Sequence, residues 1–181
     1  EVELQRVRAA CKFPERCEIL PLDLSQTENL AKHADQAWQL MGAIDLLIHS
    51  GGISQRALAM EASAASEEKI MQINFWGSVR LTKAILPYML TRQSGHIVCI
   101  SSLVGKFGTP YRSAYSASKH ALHGYFDSLR AELPTSIQVT LICPGFIKTA
   151  VTLNALTADG SAQGTMDDAQ ANGMAPEICA K

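Results

Sequence analysis

The sequence predicts an α/β fold, a doubly wound parallel sheet with helices layered on both faces. Three observations carry this. Short apolar runs alternate with stretches of helical periodicity along most of the 181 residues. The apolar runs are continuous rather than alternating, which is the pattern of strands buried on both faces. Each run ends in small or hydroxyl-bearing residues, where a sheet of this kind opens onto a ligand crevice.

The elements follow in order. "EVELQRVRAACKF" opens the chain in mid-helix pattern. "CEILPLDL" (17–24) predicts the first strand. Ser25 and Glu28 then predict a capping box for a helix with Leu30, Ala34, Trp38 and Met41 on its apolar face, stopped by Gly42. "IDLLIHS" (44–50) is the second strand. A long helical stretch covers about 65–92, with Gly77 and Ser78 permitting close packing. "HIVCISS" (96–102) is the third strand, followed by a loop marked by Gly105, Gly108 and Pro110. A helix covers 113–132, and "IQVTLICPG" (137–145) is the fourth strand. The small, polar stretch 150–174 predicts a mobile loop over the substrate, with a short helix in it. Pro176 followed by Glu177 signals another helix start. The whole reads as one Rossmann-like α/β/α domain, without internal repeats and incomplete at both ends.

Composition excludes several classes. With 47% apolar and 18% charged residues, the chain has the make-up of a globular protein with one full-sized core. The net charge is −1 and the basic residues are scattered, which argues against nucleic acid as a partner. Cys11, Cys17, Cys99, Cys143 and Cys179 are odd in number and lack C-x-x-C spacing, so they read as free thiols of a cytoplasmic or other reducing compartment. No apolar run approaches the ~20 residues that span a membrane. His120 and His123 have no further metal ligand in pattern, and no metal site is expected. Asp167 and Asp168 read as a solvated loop pair, and Trp38 and Trp76 as core or interface.

The candidate chemistry lies in "SAYSASKHAL" (113–122). Tyr115 and Lys119 are four apart and share a helix face. A free phenol, with a pKa near ~10, is a poor acid or base at neutral pH. A nearby ammonium favours the phenolate, and a lowered pKa suits general acid–base work. Ser102, at a strand end, can donate to the same substrate oxygen. Taken alone, a Tyr and a Lys at this spacing usually only decorate a helix surface.

Their context resembles the short-chain dehydrogenase/reductase family from about residue 17 onward. "YSASK" (115–119) is similar to its Y-x-x-x-K, and "ISSLVG" (100–105) to its serine strand. "INFWG" (73–77) resembles the segment with its structural Asn, here Asn74. "PGFIKT" (144–149) resembles its P-G-x-x-x-T, and "PLDLS" (21–25) its adenine-contacting Asp segment. The stretch from Ser101 to Leu133 most resembles the family member 7 subgroup. The resemblance implies that Tyr115 exchanges the proton, Lys119 lowers its pKa and holds the nicotinamide ribose, and Ser102 polarises the carbonyl. It implies that Asn74 sits at a helix kink and holds a water that links Lys119 to solvent. It also implies that Asp23 and Leu24 contact adenine, that Ser50, Gly51, Gly52, Pro144 and Gly145 border the cofactor, and that Ile147 and Thr149 hold the carboxamide. NADP(H) is the favoured cofactor and NAD(H) the alternative. The implied partners are a small carbonyl or alcohol substrate and further copies of the chain, as a homodimer or homotetramer through the helices at 65–92 and 113–132.

Two departures stand out. The family's N-N-A-G turn reads His49-Ser50-Gly51-Gly52, which removes an amide that ties strands together. No glycine-rich phosphate loop, T-G-x-x-x-G-x-G, precedes Asp23, so that unit is expected upstream of residue 1. A membrane anchor, carried by animal members of the subgroup, would also fall there. The expected function is an NAD(P)-dependent oxidoreductase acting on a carbonyl/alcohol pair. The competing expectation is a non-catalytic scaffold of the same fold, lacking the phosphate loop.

Overall fold

The computed structural model describes residues 1–181. Its sheet has three parallel strands, β1 (Leu46–His49), β2 (Gly95–Ile100) and β3 (Ile137–Ile142), in the order β1-β2-β3. Leu46 pairs with His96, and Gly95 with Ile137. The helices are α1 (Val2–Ala10), α2 (Leu30–Met41), α3 (Ala64–Met71), α4 (Ser78–Arg92), α5 (Ser113–Glu132), α6 (Asp168–Ala171) and α7 (Pro176–Cys179). Between α3 and α4 the chain runs without a break through a π-helical turn, Gln72–Gly77. No helix is long and apolar enough to cross a membrane.

Alternation along the strands divides the sheet into two environments. Ile97 and Cys99 of β2 and Ile137 and Val139 of β3 face one side. There they form the main core with Leu30 and Ala34 of α2, Leu81, Ile85 and Met89 of α4, and Leu122, Phe126 and Leu129 of α5. Ile48, Val98, Ile100 and Ile142 face the other side and line a cavity. The continuous apolar runs of the sequence thus supply a packed core on one face and the floor of a cavity on the other.

Two expectations fail. Residues 17–23 form no strand, because no neighbouring backbone offers them ladder hydrogen bonds. Leu20 and Leu22 instead line an apolar groove with Ala34 of α2 and Leu46 of β1. The capping box does not form either. Ser25 turns back, donating its amide and its hydroxyl to Asp23 Oδ1, each at 2.8 Å, and a 3-10 turn at Thr27–Asn29 leads into α2. Gly42 ends α2 as expected, with φ of 69°. Gly77 does permit a close approach, though to a loop: a Cβ there would lie 2.7 Å from the Leu24 carbonyl oxygen.

His49, which stands where the resemblance implies an asparagine, sits in the ladder without disturbing the sheet. It pairs with Cys99 in the ladder, and its Nε2 lies 2.7 Å from Thr82 Oγ1 on α4. Burial lowers the imidazole pKa from 6.5 to about 4. The unfolded chain therefore binds a proton that the folded chain refuses between these values. The stability this ring contributes is complete above pH 6.5 and declines as pH falls toward 4. His49→Asn removes this titration. Urea midpoints of the two proteins should diverge on acidification, with the wild type losing more, at a slope of at most ~1.4 kcal/mol per pH unit. Parallel curves would contradict the assignment.

Candidate active site

The cavity at the carboxyl ends of the strands has a volume of about 870 Å³. Ser102, which follows β2, and Tyr115 and Lys119 from the first two turns of α5 lie in its wall. Ser50, Gly51 and Gly52 come from the turn after β1. Pro144, Gly145, Ile147 and Thr149 come from the segment after β3. Asp23, Leu24 and Asn74 do not line it. Leu24 packs just behind, 2.7 Å from where a Gly51 Cβ would stand, and Asp23 is exposed with its carboxylate engaged by Ser25.

Asn74 acts from behind the wall. Its side chain turns inward from the π-helical turn and is 1% exposed. Oδ1 accepts from Ile53 N at 2.8 Å, and Nδ2 donates to Ile53 O at 2.9 Å and to Ser118 Oγ at 3.0 Å. These bonds fasten the glycine turn to α5. Gly52 can lie so close because it has no Cβ; one added there would sit 3.1 Å from Asn74 Oδ1 and 3.8 Å from Lys119 Nζ.

Lys119 is 5% exposed, and its Nζ donates to Ile100 O at 2.9 Å. Burial lowers its pKa. The ammonium lies over the Tyr115 ring, 5.7 Å from the centroid. The electrostatics of Tyr115 differ from the sequence expectation. Burial is the largest influence and leaves the phenol raised. The groups that pull it down are the nearby Ser102 hydroxyl and the charges of Arg56 and Arg112. Lys119 faces the ring and the Ile100 carbonyl, so its charge acts less directly on the hydroxyl.

Of the pair read as solvated, Asp168 is exposed, but Asp167 is half-buried and engaged by two arginines. Arg56 Nε donates to its Oδ2 at 2.7 Å and Arg112 Nη2 to the same oxygen at 3.1 Å. Gln163 Nε2 reaches Oδ1 at 3.1 Å. Burial pushes the Asp167 carboxyl up, but these donors outweigh it and hold it below the usual range. The stretch 150–174 is thereby tied to the site, and further tied by the Gln55–Leu156 and Ile147–Met174 bridges and by Gln170 donating to the Ile147 carbonyl. Nothing in the local sequence marks Arg56, Arg112 and Asp167 as a cluster, because they meet across 55 to 111 residues. The His pair also finds local partners: His120 Nδ1 bonds Ser116 O, and His123 lies between Lys106 and Cys143.

Comparison with known proteins identifies the family. The model of the short chain dehydrogenase family matches residues 2–159. The chain belongs to that family. It is 51% identical over 160 residues to a "Dehydrogenase/reductase SDR family protein 7-like" of Anopheles gambiae, covering 88% of this chain and 50% of that protein. It is 43% identical over 180 residues to "Dehydrogenase/reductase SDR family member 7B" of Xenopus tropicalis, covering 99% and 58%. A short-chain dehydrogenase structure from Streptomyces avermitilis superposes with a TM-score of 0.77 at 29% identity, covering 94% of this chain and 61% of that one. A structure titled "ElxO with NADP Bound" gives 0.76 at 27% identity, covering 81% and 60%. The chain thus falls in the family member 7 subgroup and spans about half the length of the curated relatives it matches.

Asp167→Ala should leave two half-buried guanidinium groups facing each other without their shared carboxylate. Chemical denaturation should show a loss of about 1–3 kcal/mol. An unchanged midpoint would mean that the cluster contributes nothing to holding the 150–174 stretch.

Proposed function

We propose that this chain carries the active site of a nicotinamide-dependent oxidoreductase that interconverts a carbonyl and an alcohol. The observation supporting it most is the buried Lys119 ammonium beside Tyr115 and Ser102, in one cavity wall next to a glycine turn. A non-catalytic scaffold would gain nothing from an ammonium held out of water, since desolvating it costs free energy.

The residues present fit the nicotinamide half of such a cofactor. The Ser50–Gly52 turn and Gly145 leave backbone open to close approach. Lys119 Nζ has one protein acceptor and so retains donors for the ribose hydroxyls. Ile147 and Thr149 would hold the carboxamide, and Asp23 and Leu24 would lie toward adenine. A bound nicotinamide supplies or accepts the hydride.

The remaining chemistry belongs to the chain. In reduction, Tyr115 gives its phenolic proton to the carbonyl oxygen as that oxygen gains charge. In oxidation it takes the alcohol proton. Ser102 donates to the same oxygen and holds it against the phenol. Arg56 and Arg112 stabilise the phenolate left behind, and Lys119 keeps the cofactor side of the ring positive. NADP(H) is favoured over NAD(H). The reading extends to a homodimer or homotetramer through the helices at 65–92 (α3 to α4) and 113–132 (α5), in a reducing compartment.

Tyr115→Phe deletes only the hydroxyl. In the full-length protein it should leave unfolding within about 0.5 kcal/mol of wild type and lower carbonyl turnover by about 100-fold or more. A variant that keeps substantial turnover would contradict the assigned role.

A further inference from the structure

Helix α5 begins without a cap of its own: Arg112, at the N-cap, makes no side-chain bond to the first turn. The first amides of a helix need partners, and here solvent cannot serve them all, since Ala114 is buried. They are served from the loop after β1. Gln55 is 0% exposed. Its Oε1 accepts from Ala114 N at 2.8 Å and from Tyr115 N at 3.3 Å. Its Nε2 donates toward Ser113 Oγ at 3.4 Å.

A plain helix cap would account for the first of these bonds. Two further facts point beyond it. One bond holds the backbone of the proton-transfer residue itself. The other is that the backbone on either side of Gln55 is locked to the stretch that lines the cavity through Val151 and Gln170. Gln55 forms a parallel bridge with Leu156, flanked by Arg56 N to Leu156 O at 2.8 Å and Leu156 N to Ser54 O at 2.9 Å. The 54–56 loop is therefore bonded through its backbone to the 150–174 stretch, while the buried Gln55 side chain carries that loop onto the first turn of α5.

We propose that Gln55 is a positioning residue for the reaction, setting where the Tyr115 hydroxyl meets the substrate oxygen. The inference rests on the reading of Tyr115 as the proton-transfer group. Lys119 lies one turn farther along α5 and is anchored separately through Ile100. Losing Gln55 should thus affect the proton step more than cofactor binding, since misplacement by about 1 Å can cost ~100-fold in rate.

The test compares Gln55→Met, similar in length without an amide acceptor, with Gln55→Glu, which keeps the accepting oxygen. Both are made in the full-length protein and checked for folding by circular dichroism. Hydrogen exchange at Ala114 and Tyr115 is measured beside kcat and the KM for cofactor. Gln55→Met should lose protection at both amides and about 10- to 100-fold in kcat, with the cofactor KM little changed. Gln55→Glu should recover protection and most of the rate. Should Gln55→Met fail to fold, Gln55→Asn makes the same comparison with its amide withdrawn by one methylene. Wild-type kcat after protection is lost, or protection intact in Gln55→Met, overturns the inference. An inactive wild type would defeat the functional reading instead, while the amide exchange would still decide whether Gln55 caps α5.

Discussion

The carboxamide of Asn74 is buried in the one turn between α3 and α4 that is wound as a π-helix, and its three hydrogen bonds reach two other elements. Ile53 is held through both its amide and its carbonyl, and α5 is held through Ser118. A fully satisfied buried amide of this kind fixes geometry, because every alternative leaves a polar group unpaired out of water. The wider π turn lets the side chain project inward, and such turns recur at functional sites. From this clamp the rest of the site follows. The glycine turn lies against Lys119, α5 lies against the turn, and the cavity opens where the three meet.

Around the clamp, the site concentrates charge in a half-dry setting. Lys119 is nearly inaccessible and directs one bond at Ile100 O. Arg56 and Arg112 act on Tyr115 through their charges, line the same cavity and share Asp167. Burial raises the phenol while the Ser102 hydroxyl and the two cations lower it. The balance of these opposed influences, rather than any single neighbour, sets how readily the phenol exchanges its proton. The same residues also bind the 150–174 stretch to the cavity, so the structural ties and the electrostatics of the site are one arrangement.

Much of this was legible in the sequence where the signal is local. The helix at 113–132 and the strands β1, β2 and β3 follow from periodicity and apolar runs, and the Tyr115–Lys119 spacing follows from helix geometry. What was not legible depends on distant partners. The run at 17–24 has a strand composition, but a strand exists only when another backbone pairs with it. The Ser25–Glu28 pattern matches a capping box, yet Asp23 offers Ser25 a closer acceptor. Asp167 resembles any loop carboxylate until Arg56 and Arg112 are brought to it. Gln55 carries no motif at all; its role appears only when the loop after β1 meets the start of α5, 58 to 60 residues later.

The central claim is that Lys119 and the glycine turn form the nicotinamide side of a working cofactor site. Calorimetric titration of the full-length protein with NADPH and with NADH tests it most directly, beside the Lys119→Ala variant. Saturable one-to-one binding of at least one cofactor, weakened in the variant while its fold is retained, is the predicted result. Binding of neither cofactor, or binding indifferent to the loss of Lys119, would contradict it.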